Sequence, residues 1–261
     1  MNSFRLVKWY LDCVSERGDF IIGYSALLQL GLLKFPLIGQ LSRIDGKMEN
    51  SASLSRRSEP RPESGGLHWH CPGLEIDGIW KPHSSPVRRT LFNEPAGSVV
   101  WDCLQPSSEV TVTGRNRCEI RGLGYAERME VTIAPWKLGL RTLQWGRFVS
   151  LFDSVIWILW DGDRDLTMIL HNGSEVPDGK IGTDSVSLEH NCRLSLTGSQ
   201  VIRQGQINES VLSSIPMVRA LLPNWLQSID EQKWLCRGVL TRADGTVSDG
   251  WVIHERVAFE R

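Results

Sequence analysis

The feature that most constrains the fold of this 261-residue chain is a succession of short strand-like runs, each closed by Gly, Pro, Asn or Asp. They fall at Leu67–His70, Val99–Leu104, Glu109–Thr113, Tyr125–Ile133, Leu143–Leu151, Val155–Trp160, Leu166–Leu170, Ser185–Glu189 and Arg193–Thr197. Such spacing predicts an all-β protein built as an antiparallel barrel. Val155–Trp160 and Leu166–Leu170, joined through Asp161-Gly162-Asp163-Arg164-Asp165, read as a hairpin, because Asp-Gly supplies the backbone freedom a tight bend needs. A second hairpin closes the chain, with Lys233–Arg242 and Gly250–Phe259 flanking Ala243-Asp244-Gly245-Thr246. One segment departs from this pattern. In Glu209–Asp230 the apolar residues fall near helical spacing around Pro223, which predicts a short helix over a barrel end.

The same reading predicts two β-rich parts, an N-terminal domain over 1–105 and a C-terminal barrel over 106–261. The second is expected to hold the Tyr125, Trp145–Trp160 and C-terminal strands around one apolar interior. Ser42–Gly66, rich in Ser, Arg, Glu, Pro and Gly, is expected to be a flexible loop at 42–66 or a long hairpin excursion. Phe20–Gly39 approaches the length of a membrane span, but Tyr24, Gln29, Lys34 and Pro36 interrupt it, so paired core strands are expected there. With 29 Lys+Arg against 30 Asp+Glu, the chain lacks the basic surface of a nucleic-acid binder. Six cysteines without a C-x-x-C pair, and an N-terminus without an apolar signal core, predict free thiols and a cytoplasmic location, with peripheral contact to a membrane left open.

Cofactor and metal signatures are weak. Gly122-Leu123-Gly124 is not followed by a helical pattern, Gly198-Ser199-Gln200 is not a nucleophile elbow, and His68, His70 and Cys71 have no second ligand cluster at zinc-site spacing. Neither a cofactor nor a metal is expected. Strand alternation is more informative. It places Glu127 among Tyr125, Met129, Val131 and Ile133, and Glu255 among Trp251, Ile253, Val257 and Phe259, so each glutamate is the one acid on an apolar face. A carboxyl group in such surroundings holds its proton more tightly and becomes a candidate acid; pairing with a buried arginine is the structural alternative. The chain has 11 Trp but only 3 Tyr and 7 Phe. Trp145, Trp157 and Trp160 are either core residues or indole faces able to hold a developing cation.

Two blocks carry a family resemblance. Lys8-Trp9-Tyr10-Leu11-Asp12-Cys13-Val14-Ser15-Glu16 resembles the W-Y-F-D-A-V-S-D-D opening of the hydroxyneurosporene synthase (carotenoid 1,2-hydratase) family. Gly122 to Glu130, followed by Trp145-Gly146-Arg147, is similar to that family's central G-x-G-Y-H-D-x-N-W-G and W-x-W-x-R block. The resemblance implies a lipocalin-like β-barrel architecture, commonly as two β domains, with relatives among fungal pericyclases of the Diels–Alderase type. It carries Trp9, Tyr10 and Asp12 over from the opening, Gly124, Tyr125 and Glu127 from the centre, and Trp145 and Arg147 from its end. Ala126, Met129 and Glu130 stand where the family has His, Asn and Trp, which implies a different substrate in a bacterial branch.

The chemistry implied is hydration or isomerisation of a hydrophobic terpenoid or carotenoid-like substrate through protonation of a C=C bond. Glu127 is the expected donor, and Glu255 or Asp12 is expected to orient water or keep Glu127 protonated. Trp9, Tyr10, Tyr125, Trp145, Arg147, Trp157 and Trp251 are the expected ligand-binding residues. The other reading is a non-catalytic carrier of a lipid or pigment, and the sequence leaves both open, together with the oligomeric state.

Overall fold

The computed structural model describes residues 4–54, 58–115, 118–189, 191–206 and 229–259. The chain divides into two compact units, the described residues up to Leu138 forming the first and those from Gly139 the second. Each unit is one curled antiparallel sheet, in a two-part lipocalin-like architecture. No helix among the described residues is long and apolar enough to cross a membrane.

The first unit contains β1 (Phe4–Val14), β2 (Phe20–Leu30), β3 (Leu33–Ile44), β4 (Lys47–Leu54), β5 (Arg61–Glu63), β6 (Gly66–Cys71), β7 (Ile76–Pro82), β8 (Val87–Glu94), β9 (Gly97–Thr113) and β10 (Glu119–Val131). Their order across the sheet is β4-β3-β2-β1-β10-β9-β7-β6-β5, with β8 on β9. The second contains β11 (Leu140–Val149), β12 (Ser154–Gly162), β13 (Leu166–His171), β14 (Ser174–Glu175), β15 (Lys180–Ile181), β16 (Ser185–Ser187), β17 (Arg193–Gln206), β18 (Ile229–Thr241) and β19 (Val247–Phe259). There the order is β14-β13-β12-β11-β19-β18-β17-β16-β15. The hairpins expected at Asp161–Asp165 and Ala243–Thr246 are β12–β13 and β18–β19, and Phe20–Gly39 is the paired β2 and β3.

Two expectations are corrected. The boundary lies at Leu138/Gly139, not at 105/106, and the Tyr125 strand belongs to the first sheet. Pro106 suggested a break between Val99–Leu104 and Glu109–Thr113, but β9 runs straight through it. The register between β9 and β10 slips on both sides of Ala126, so the proline, which has no N–H to give a ladder, is accommodated by a bulge rather than by ending the strand. Of the two readings of 42–66, the hairpin is the one seen over β3 and β4. Ile44 pairs with Lys47 around Asp45-Gly46, both at positive φ, and this two-residue turn launches β4, a polar strand at the sheet edge where hydrophilic residues face solvent. The helix expected over Glu209–Asp230 lies outside the described residues, except that Ile229 and Asp230 begin β18.

Each sheet buries one apolar face. In the first unit Trp9, Leu11, Trp69, Trp80, Val110 and Ala126 belong to a single cluster. In the second, Phe148, Trp157, Ile169, Leu194, Cys236 and Val252 do the same.

Candidate functional site

Consecutive residues of β1 point to opposite sides of the sheet. Val7, Trp9, Leu11 and Cys13 enter the apolar cluster. Tyr10 and Asp12 take the other face, directly opposite Glu127 and Tyr125 of β10. Paired residues in an antiparallel sheet share a face, so the pairing of Glu127 with Cys103, Met129 with Trp101, and Tyr10 with Tyr24 brings Cys103, Trp101 and Tyr24 to the same side.

Glu127 is 5% exposed and sits at the centre of this group. Its Oε2 accepts the Trp101 indole N–H at 2.5 Å and the Tyr125 phenol O–H at 2.6 Å. The Tyr10 ring meets Tyr24 at 5.5 Å and Tyr125 at 6.0 Å, both edge-on. These are all three tyrosines of the sequence. Burial, reinforced by Cys103 and Glu127, pushes the Tyr125 phenol well above its ordinary range, which keeps it a neutral O–H donor. Burial likewise pushes the Cys103 thiol well up, so it is no ready nucleophile.

Local sequence explains how the strands come this close. A Cβ on Gly122 would lie 2.0 Å from the Val14 carbonyl oxygen, and one on Gly124 2.1 Å from that of Asp12, so the Gly-x-Gly pair is what lets β10 lie against β1. The bulge beside Pro106 flanks Ala126 and Glu127, and bulges re-aim the side chains next to them. Asp12 is fully buried, and its carbonyl accepts the Trp80 indole N–H at 2.8 Å.

Four more of the expected residues, Trp145, Arg147, Trp251 and Glu255, lie in the second unit, on the face opposite its apolar cluster. Trp145 pairs with Glu255, which pairs with Lys233. Glu255 is ion-paired to Lys233, Lys233 lies 3.6 Å from Glu231, and Glu231 is bridged to Arg203. The Lys233 ammonium stands 5.9 Å over the Trp145 ring. Arg147 is fully buried and donates to the Trp251 carbonyl at 2.9 Å, while the Arg237 guanidinium covers the Trp251 ring at 3.9 Å. Glu255 therefore takes the structural alternative, an ion pair, with a lysine in place of the expected arginine.

The structure thus brings Tyr10, Asp12, Tyr125 and Glu127 onto one face, and Trp145, Arg147, Trp251 and Glu255 onto another. Trp9 and Trp157 are not among them. Trp9 alternates away from Tyr10 and donates its indole N–H to Glu59 at 3.3 Å, and the Trp157 ring packs over Gly146, where a Cβ would lie 2.1 Å from it. Two open clefts in the first unit, one lined by Gln40, Ser42, Asp45 and Arg115 and the other by His70, Glu75, Asp77 and Thr113, are lined by none of the expected residues. His68 has Glu63 at 3.0 Å and Asp77 at 2.6 Å on its two ring nitrogens, and Asp77 above all raises its pKa. Among the described residues no group of His, Cys, Asp or Glu is placed to hold a metal ion. Trp101 and Tyr24 are site residues that sequence reasoning passed over; the signal for Trp101 was alternation within Val99–Leu104, which puts it on the face of Cys103.

No protein-family model and no curated protein matches the sequence. Solved structures do. CghA, determined with Sch210972, superposes with a TM-score of 0.58 at 11% identity, covering 98% of this chain and 89% of that one. Kievitone hydratase from Nectria haematococca superposes at 0.55 and 9% identity, covering 97% and 88%. This chain has their fold. The likeness runs through both units and leaves the chemistry to be argued from the residues.

Proposed function

We propose that the protein is a hydratase- or isomerase-like enzyme that protonates a C=C bond of a hydrophobic substrate, with Glu127 as the proton donor. The observation that carries this is the buried carboxyl group of Glu127, fixed by Trp101 and Tyr125 on a face that gathers every tyrosine of the chain. Adding a proton to carbon requires an acid held in one orientation, and two donors on Oε2 hold the carboxyl plane still. Tyr125, neutral and hydrogen-bonded to Oε2, keeps its own proton and holds the carboxyl group in place; the proton released when water captures the cation restores the acid form of Glu127. The edges and faces of Tyr10, Tyr24 and Trp101 supply apolar surface for an alkene and π-density for a developing cation. Asp12, opposite Tyr125 in register, is the candidate to orient water. The hydratase among the structural neighbours supports the reaction class, and the family-like blocks around Tyr10 and Glu127 support a terpenoid-type substrate.

The test uses trisubstituted prenyl alkenes and polyenes incubated with the purified protein in D2O, with mass spectrometry reading deuterium or water gained. The wild type is expected to label or hydrate at least one of them. Glu127→Gln keeps shape but cannot donate the proton, so labelling should fall by about a hundredfold or more while alkene retention persists. Full labelling by Glu127→Gln overturns the assignment, and retention without labelling by the wild type leaves a carrier.

A further inference from the structure

We infer that one end of the first unit is a docking surface for an anionic phospholipid membrane. The exposed apolar residues there form one connected patch. The Trp136 ring lies 6.0 Å from Phe4, Phe4 pairs with Leu30, and Leu30 pairs with Leu33 across the β2–β3 turn. Leu32 stands at the tip and is 99% exposed, while Leu33 and Trp136 are 55% and 48% exposed. An apolar side chain left so fully in water is unusual beside the buried leucines of the same hairpin, and a contiguous patch of this kind marks a contact surface.

The shape and the charge select the partner. The patch is borne on a projecting two-residue turn, Gly31-Leu32, with Gly31 at positive φ and the Gln29 side chain donating to the Gly31 carbonyl at 3.1 Å. A convex, braced tip suits insertion among lipid headgroups better than it suits receipt of a peptide. Lys34 and Lys137 flank the apolar residues and are exposed; Arg5 is paired with Glu130, so the local balance is positive. Leucines at the tip, a tryptophan at the margin and lysines around it match the layering of a membrane interface, where acyl chains, carbonyls and phosphates follow one another outward. A hydrophobic substrate dissolved in such a membrane would be met there, although the inference does not depend on Glu127.

The experiment is co-sedimentation of the full chain with vesicles of phosphatidylcholine mixed with phosphatidylglycerol. The wild type is expected to sediment with these vesicles, and more weakly with pure phosphatidylcholine or in high salt. Leu32→Ser with Leu33→Ser should weaken binding by about tenfold or more. The variant should keep its far-ultraviolet circular dichroism, because both side chains face solvent. Phe152→Ser, which removes an exposed ring from a turn of the second unit, should bind as the wild type does. The inference is overturned if the wild type stays in solution with anionic vesicles, if the double variant binds undiminished, or if Phe152→Ser is the change that abolishes binding. A concentration-dependent dimer, seen without lipid and lost in the double variant, overturns it in favour of a second copy of the chain.

Discussion

Two titratable side chains in the second unit respond to acid in different ways. His254 stacks on Trp234 at 4.8 Å, and burial pushes its imidazole down to about 4, Glu255 opposing and Lys233 assisting. An unfolded histidine takes a proton near 6.5, so the unfolded chain binds the extra proton first as pH falls. The neutral form's contribution to stability is complete above 6.5 and drains away towards 4. Denaturant melts across that interval should show the loss, and His254→Phe, which keeps the stack but cannot titrate, should flatten it. Asp153 behaves differently. Burial works to raise its pKa, but hydrogen bonds from Ser248 at 2.6 Å, His171 at 3.0 Å and Arg242 at 2.5 Å outweigh it and bring it to about 2. Its stabilisation is present above 3.8 and lost as pH falls through about 2. Asp153→Asn should cost about 1–3 kcal/mol at neutral pH, measured by urea unfolding, because the partners lose a charged acceptor.

At the scale of strands, close approach is the controlling variable. Gly23 of β2 lies under the Trp69 ring, where an added Cβ would fall 2.1 Å from the ring, and Trp69 is locked by its indole N–H to the Ser58 carbonyl at 3.0 Å. Gly23→Ala must therefore displace a buried indole, and thermal unfolding should report a loss of about 1–3 kcal/mol. Central and edge strands should also differ in amide exchange. β1, β10 and β9, and β11, β19 and β18, are paired on both sides, so their amides should be protected longest, whereas the short strands β5, β14 and β15 at the sheet ends should exchange first. An exchange map with β4 or β14 slowest would contradict the strand order.

For the molecule as a whole, strand content was legible because alternation and turn chemistry are local signals: the Asp161–Asp165 and Ala243–Thr246 hairpins could be read directly. The division into units could not. Whether Pro106 ends a strand or bulges it depends on what lies beside it, and only the pairing of β9 with β10 decides that the Tyr125 strand joins the first sheet. For 42–66 the sequence left loop and hairpin level, because the polar composition of β4 suits a flexible segment as well as an exposed edge strand, and the turn at Asp45-Gly46 decides for the hairpin. At the site, alternation united Tyr125 with Glu127 because they share one strand. Trp101 escaped because its partnership spans 26 residues, and Glu255 read as an acid because its lysine stands on the neighbouring strand. One consequence of the tyrosine grouping is practical. Because the three phenol rings form one run of contacts, Tyr24 on Tyr10 and Tyr10 on Tyr125, the tyrosine bands of an ultraviolet resonance Raman spectrum, or the ring resonances of a tyrosine-labelled sample, report on the sheet face that carries Glu127. The unmodified chain carries its own probe there, and a bound ligand can be followed without attaching a dye.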